Sequence, residues 1–187
     1  MARWAPDTRE RLRAAALELF DERGFAATTV PDIVERAGLT KRTFFRHFSD
    51  KREVFFGDDE IPDIARRMLA EAPAGADPFA VVLHGLHHLA EHRFEPRRDE
   101  VRAARRIIDA DPALRERDLR KQADLRAAVR QGFSARGEDA LTAEVLAGVT
   151  VELFQTALGT WLSDEGGTPF TDHLDRTAAR MRAVLRV

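Results

Sequence analysis

Apolar residues recur at three- and four-residue intervals along almost the whole chain, and no stretch alternates with the two-residue period of a strand, so the pattern predicts an all-α protein. Leu12, Ala16, Leu19 and Phe20 form the inner face of a first helix capped by Asp7 or Thr8 and ended by Gly24. Thr29 caps a second helix, with Pro31 and Asp32 in its first turn and Ile33, Val34 and Ala37 as its apolar stripe. Gly38 stops it, because a residue without Cβ enters the left-handed region freely. Thr40 caps a third helix, and Leu39 is placed to pack on Phe44 as a hydrophobic staple. The predicted result is a three-helix head with Leu19, Phe20, Phe25, Ile33, Val34, Phe44 and Phe48 as its core. On the third helix Phe44 and Phe48 share one face, and Lys41, Arg42, Phe45 and Arg46 occupy another.

The head is expected over residues 1–50 and a second helical domain over 51–187. Ser49 and Asp50 open a helix that carries Lys51 in its first turn, and Pro62 predicts a break before Ile64, Met68 and Leu69. A cation at a helix start opposes the helix dipole, which points to a phosphate partner for Lys51. After the turn cluster at 73–77, helices are expected over 78–94, 97–110 and 112–136, punctuated by Pro96 and by Asp111-Pro112. Residues 140–162 are apolar on nearly every side, and the charges of Glu144 and Glu152 within the run argue against a membrane span. A last helix follows Thr168 and Pro169. So much apolar surface exceeds what one small body needs, and a two-fold four-helix interface would absorb it. The residues expected there are Leu146, Val149, Leu153, Phe154, Phe170, Leu174, Met181 and Leu185.

Composition narrows the chemistry. The chain has 187 residues, 44% hydrophobic and 33% charged, in keeping with a soluble globular protein. It contains no cysteine, which excludes disulfides and thiolate metal sites. It starts with no apolar leader, so a cytoplasmic location is expected. The formal net charge is −2, but residues 1–57 hold 11 Lys or Arg against 9 Asp or Glu, so the head is mildly basic. A short arm at residues 1–6, with Arg3 and Trp4, either frays or enters a minor groove.

Three cations and an aromatic ring on the open face of a helix, behind a short buried helix, suit recognition of a DNA major groove; the alternative is a solvated basic face. The stretch TVPDIVERAGLTKRTFFRHFSDKREV resembles the DNA-binding helix-turn-helix of TetR/AcrR-type transcriptional regulators, with similarity from about Arg9 to Phe56. The resemblance implies base and phosphate contacts among Thr29, Thr40, Lys41, Arg42, Thr43, Phe45, Arg46, His47 and Lys51. The family usually carries Tyr where this chain has Phe45; without the hydroxyl, the ring is left to pack on sugar or on a thymine methyl. The resemblance further implies a homodimer joined through its last two helices, a pseudo-palindromic double-stranded operator, and a regulator, usually a repressor, released by a small molecule.

Aromatic and Met-rich positions in the body suit an apolar or amphipathic effector, with Phe55, Met68, Phe79, Leu83, His87, Ile108, Phe133 and Trp161 as candidate lining. His84, His87, His88 and His92 share one helix, and they are read as exposed or singly bonded groups, as pocket lining, or as a weak metal site. No metal and no cofactor is expected. A metal-dependent helical enzyme, hydrolysing through paired carboxylates and histidines, is a further alternative, but the chain shows no nucleophile elbow, phosphate-binding glycine loop or His-Glu-x-x-His motif, and no enzyme is expected. A DNA-binding architectural protein without a sensor is the competing reading, and it would have a solid body without a cavity.

Overall fold

The computed structural model describes residues 8–56 and 60–185, the side chains of Glu60 and Leu185 excepted. The arm with Arg3 and Trp4 and the cap at Asp7 lie outside the described residues. Among those residues there are ten α-helices and no strand: α1 (Thr8–Arg23), α2 (Val30–Arg36), α3 (Lys41–His47), α4 (Glu53–Phe56), α5 (Glu60–Glu71), α6 (Pro78–Leu89), α7 (Arg98–Ala110), α8 (Pro112–Ala135), α9 (Ala140–Ser163) and α10 (Phe170–Leu185). The all-α expectation holds. Pro62 falls in the first turn of α5, where its missing N–H has no helical acceptor to lose. Between α6 and α7 the chain widens into a π-helical turn, Ala90–Phe94, and then tightens into a 3-10 turn, Glu95–Arg97. Pro96 has no N–H with which to continue the α ladder there.

Two compact units result. The first comprises the described residues up to 56 with Arg102–Leu119, and the second Glu60–Val101 with the described residues from Arg120 onward. The division therefore does not fall at residue 50. Helices α7 and α8 each contribute residues to both units.

The first unit closes on Leu12, Leu19, Phe20, Ile33, Val34, Phe44 and Phe48, all buried, with Phe25 packed against their edge. Gly24, at φ +83°, ends α1, and Phe25 turns back to meet Phe20 at 5.2 Å between ring centroids. Phe55 stacks on Phe20 at 4.9 Å. Arg36 of α2 bridges to Glu22 at 2.8 Å and Glu18 at 3.2 Å on α1. Arg11 donates to the Ala37 carbonyl at 2.7 Å and so satisfies the C-terminal end of α2.

The second unit is built around α9 and α10. Leu146, Leu153, Phe154, Ala157 and Trp161 of α9 pack with Phe170, Leu174 and Ala178 of α10 in one buried cluster. Trp161 stacks on Phe170 at 4.7 Å and 12° between planes. This corrects the predicted interface. Leu146, Leu153, Phe154, Phe170 and Leu174 are buried in the chain's own core and leave little surface for a partner, Val149 and Met181 are half-buried, and the Leu185 side chain lies outside the described residues. The open face of α9 carries instead Leu141, 74% exposed, and Val145, 55% exposed, in line with Glu152, Thr156 and Gly159. The helix is long and apolar enough to cross a membrane by length and composition, and its inner face is the core just described.

Candidate functional site

The turn between α2 and α3 is specified residue by residue. The Thr29 hydroxyl accepts from the Asp32 N–H at 3.4 Å, while the Asp32 carboxylate accepts from the Thr29 N–H at 2.8 Å, a reciprocal cap. The Thr29 hydroxyl also donates to the Asp32 carboxylate at 2.7 Å, and this bond first, then that of the Thr29 N–H, holds the Asp32 carboxyl below the usual carboxylate range. Gly38 takes φ +63°, and Leu39 donates back to the Val34 carbonyl at 2.8 Å. Thr40 then caps α3 by accepting from the Thr43 N–H at 3.2 Å.

With Phe44 and Phe48 buried, α3 is held by one side. Lys41, Arg42 and Arg46 stand exposed on the other, and among the described residues none of the three has a hydrogen-bond or ion-pair partner. Phe45 stands with them, 56% exposed, its ring set edge-on against Phe44 at 5.5 Å and 84°. Of the positions implied by resemblance, Thr29, Thr40, Lys41, Arg42, Phe45 and Arg46 are exposed and Thr43 is half-buried. His47 is half-buried and its Nε2 is enclosed without a partner among the described residues, so in this conformation only Nδ1 is left for a ligand.

Lys51 differs from the expectation. It lies in a turn before α4 and donates to the carbonyl oxygens of Phe25 at 2.8 Å and Thr28 at 2.9 Å. Burial pushes its ammonium below the ordinary lysine range, against the pull of Asp111. Its placement is thus explained inside the protein, without a helix dipole or a phosphate.

In the second unit α5, α6, α8 and α9 line a half-open cavity of about 50 Å³. Met68 and Leu69 of α5, Gly85 and Leu86 of α6, and Val129 and Phe133 of α8 are among its lining residues, which include no charged side chain. The polar one is Thr150, whose hydroxyl already donates to the Leu146 carbonyl at 2.7 Å. Of the eight candidate lining residues, Met68 and Phe133 are in this wall. Phe55 and Ile108 belong to the first unit. Phe79 and Leu83 pack at the edge of the second core, and His87 pairs with Asp175 at 3.0 Å. Trp161 is committed to Phe170. Periodicity identifies which residues face inward but not which inward-facing residues leave a gap, and so Val129, Gly85 and Thr150 went unpredicted.

His84, His88 and His92 are exposed, and the rings of His88 and His92 stack at 4.3 Å. Among the described residues no group of three or more His, Cys, Asp or Glu is placed to hold a metal ion. The buried histidine is His173, between the Thr160 hydroxyl at 3.1 Å and the Asp164 carboxylate at 3.4 Å.

Comparison with known proteins agrees with this geometry. Residues 12–57 match the family described as bacterial regulatory proteins, tetR family. The chain is 43% identical over 72 residues to the HTH-type transcriptional regulator TcmR of Streptomyces glaucescens, covering 38% of this chain and 32% of that one. It spans well under half the length of the curated relatives it matches. The fold extends over the rest: the crystal structure of Thermus thermophilus FadR, a TetR family transcriptional repressor in complex with lauroyl-CoA, superposes with a TM-score of 0.58 at 22% identity, covering 96% of this chain and 95% of that one. The SmeT–triclosan complex superposes with a TM-score of 0.59 at 20% identity, covering 94% and 91%.

Proposed function

We propose that this chain, whose residues 12–57 match the tetR family of bacterial regulatory proteins, is a cytoplasmic, ligand-responsive transcriptional regulator of that family that binds a pseudo-palindromic operator as a homodimer. The observation that carries the DNA reading is the face of α3, where three exposed cations, without partners among the described residues, flank one exposed ring. Lys41, Arg42 and Arg46 donate to base edges and phosphates, and Thr29, Thr40, Thr43 and the Nδ1 of His47 supply further polar contacts. Lys51 contributes by holding the turn rather than by touching DNA. Two α3 helices of a dimer enter successive major grooves about 34–36 Å apart.

The dimer face we assign is the open stripe of α9, with Leu141, Val145 and Val149, together with the exposed small residues Ala179 and Ala183 of α10. Small side chains let helices approach closely across a two-fold axis.

The cavity supports a sensor over an architectural protein. FadR was solved with lauroyl-CoA and SmeT with triclosan, and an uncharged, apolar wall suits an apolar or amphipathic effector here too. At about 50 Å³ the space holds a few waters, whereas a drug-sized ligand occupies roughly 300–1,000 Å³. An effector must therefore part α5, α6 and α8. That displacement supplies the differential affinity that allostery requires, and a coupling of about 1–3 kcal/mol weakens operator binding roughly 5- to 150-fold. Repression released by the effector is the direction we assign.

The test is fluorescence anisotropy of the purified protein on DNA flanking its own gene, with random DNA and a salt series beside it. Tight selective binding at two or four chains per duplex, weakened by fatty-acyl or chlorinated aromatic compounds, is expected. Equal affinity for random DNA at every salt concentration, on this DNA and on a randomised duplex pool, removes the regulator reading.

A further inference from the structure

The ring at position 45 is out of place on an ordinary DNA-contacting face. It offers no donor or acceptor, yet around α3, at about 100° per residue, it falls between Lys41 and Arg42, near the middle of the cationic face. More than half of its surface is in water, while its neighbour Phe44 is fully buried and holds it edge-on. An apolar group fixed at the middle of a face meets base edges, and the flanking long cations reach outward to phosphates. Among the base edges of the major groove, the apolar group available is the C5-methyl of thymine.

We propose that Phe45 is a specificity residue that packs on a thymine methyl in each operator half-site, so that this protein discriminates thymine from the other bases, and from uracil, at that position. The inference rests on the DNA-binding reading above. A phosphate or its hydration shell is a poor neighbour for a phenyl ring, because desolvating either finds no compensating hydrogen bond. Arg46, Arg42 and Lys41 set register and affinity around it. Phe45 adds no charge contact, so its contribution is independent of salt.

The discriminating reagent is a duplex that lacks only the methyl. An operator is selected with the full-length protein from a randomised duplex pool, then synthesised with thymine or with deoxyuridine throughout. Burying one methyl against a ring is worth ~0.8 kcal/mol, so about a four-fold preference per half-site is expected, and about 15-fold for both together. Phe45→Ala, with its circular dichroism unchanged, binds both duplexes more weakly and equally. Arg46→Ala weakens binding but keeps the thymine-to-uracil ratio. Equal binding of the two duplexes by the unaltered protein overturns the proposal while leaving the regulator intact, as does a ratio that survives in Phe45→Ala. Failure to select any sequence overturns the regulator reading and this inference with it.

Discussion

The ammonium of Lys51 sits 4.2 Å from the centroid of the Phe25 ring and donates to the Phe25 carbonyl at 2.8 Å, so one side chain meets that residue through both its backbone and its ring. A second bond, to the Thr28 carbonyl, ties the turn after α3 to the loop between α1 and α2. Charged hydrogen bonds of this kind are worth about 1.5–3 kcal/mol when buried and less here, because the lysine is only half-buried. Lys51→Ala is expected to cost about 1–2 kcal/mol, seen as a fall of several degrees in Tm. The dependence of DNA affinity on salt should stay as steep as before. A shallower slope with an unchanged Tm would return Lys51 to the phosphate contacts.

Two glycines that both lie within helices of the second unit should respond to the same substitution with opposite sign. At Gly85 of α6 an added Cβ meets only the Met68 sulfur, at 3.9 Å, an ordinary contact. Gly85→Ala should gain about 0.5–1 kcal/mol from helix propensity while narrowing the cavity. At Gly132 of α8 the same carbon would lie 2.5 Å from Leu69 Cδ1 and 3.1 Å from Leu69 Cβ. Gly132→Ala should cost about 1–3 kcal/mol through overpacking. Urea titration of the two variants gives the signs directly; a stabilised Gly132→Ala would mean that α5 and α8 are not as close as described.

The assigned dimer face predicts a clean change of mass. Val145 is exposed on α9 and makes no part of the buried cluster. Val145→Asp should yield a monomer in sedimentation velocity, with helical circular dichroism retained, because a carboxylate has no partner in an apolar interface. A dimer that persists unchanged places the interface elsewhere.

Acid sensitivity should concentrate at the connection between α9 and α10. Asp164 accepts from the N–H groups of Gly166 and Thr168, both at 3.0 Å, and interacts with His173. Hydrogen bonds, from the Thr168 hydroxyl first and then from the Gly166 and Thr168 N–H groups, hold its carboxyl well below the usual carboxylate range. A depressed folded-state pKa means that the stabilisation is complete above the unfolded value, near 4, and disappears as pH falls toward the folded one. The urea midpoint should therefore drop from pH 5 to pH 2. In Asp164→Asn the midpoint should already be lower at neutral pH and the acid slope shallower; an unaltered acid slope would assign the acid sensitivity to other carboxylates, such as Asp139 and Asp32.

Much of the head was legible because its signals are local. Thr29 and Thr40 as caps, Gly38 as a stop, and Phe44 opposite the cations are decided within one or two helical turns, and the described structure places each of them so. The start of α10 after Thr168 and Pro169 follows for the same reason. Local pattern fails where the answer depends on what a helix meets. Lys51 looked like a cation waiting for a phosphate, since the Phe25 and Thr28 carbonyls that satisfy it are more than twenty positions away in the chain. The apolar run at 140–162 announced burial but not by what: Leu153 and Phe154 turned to the chain's own core, and Val145 was left outside. The cavity follows the same rule. A gap is the shape left over when four helices pack, and a shape of that kind has no residue of its own to be read from the sequence.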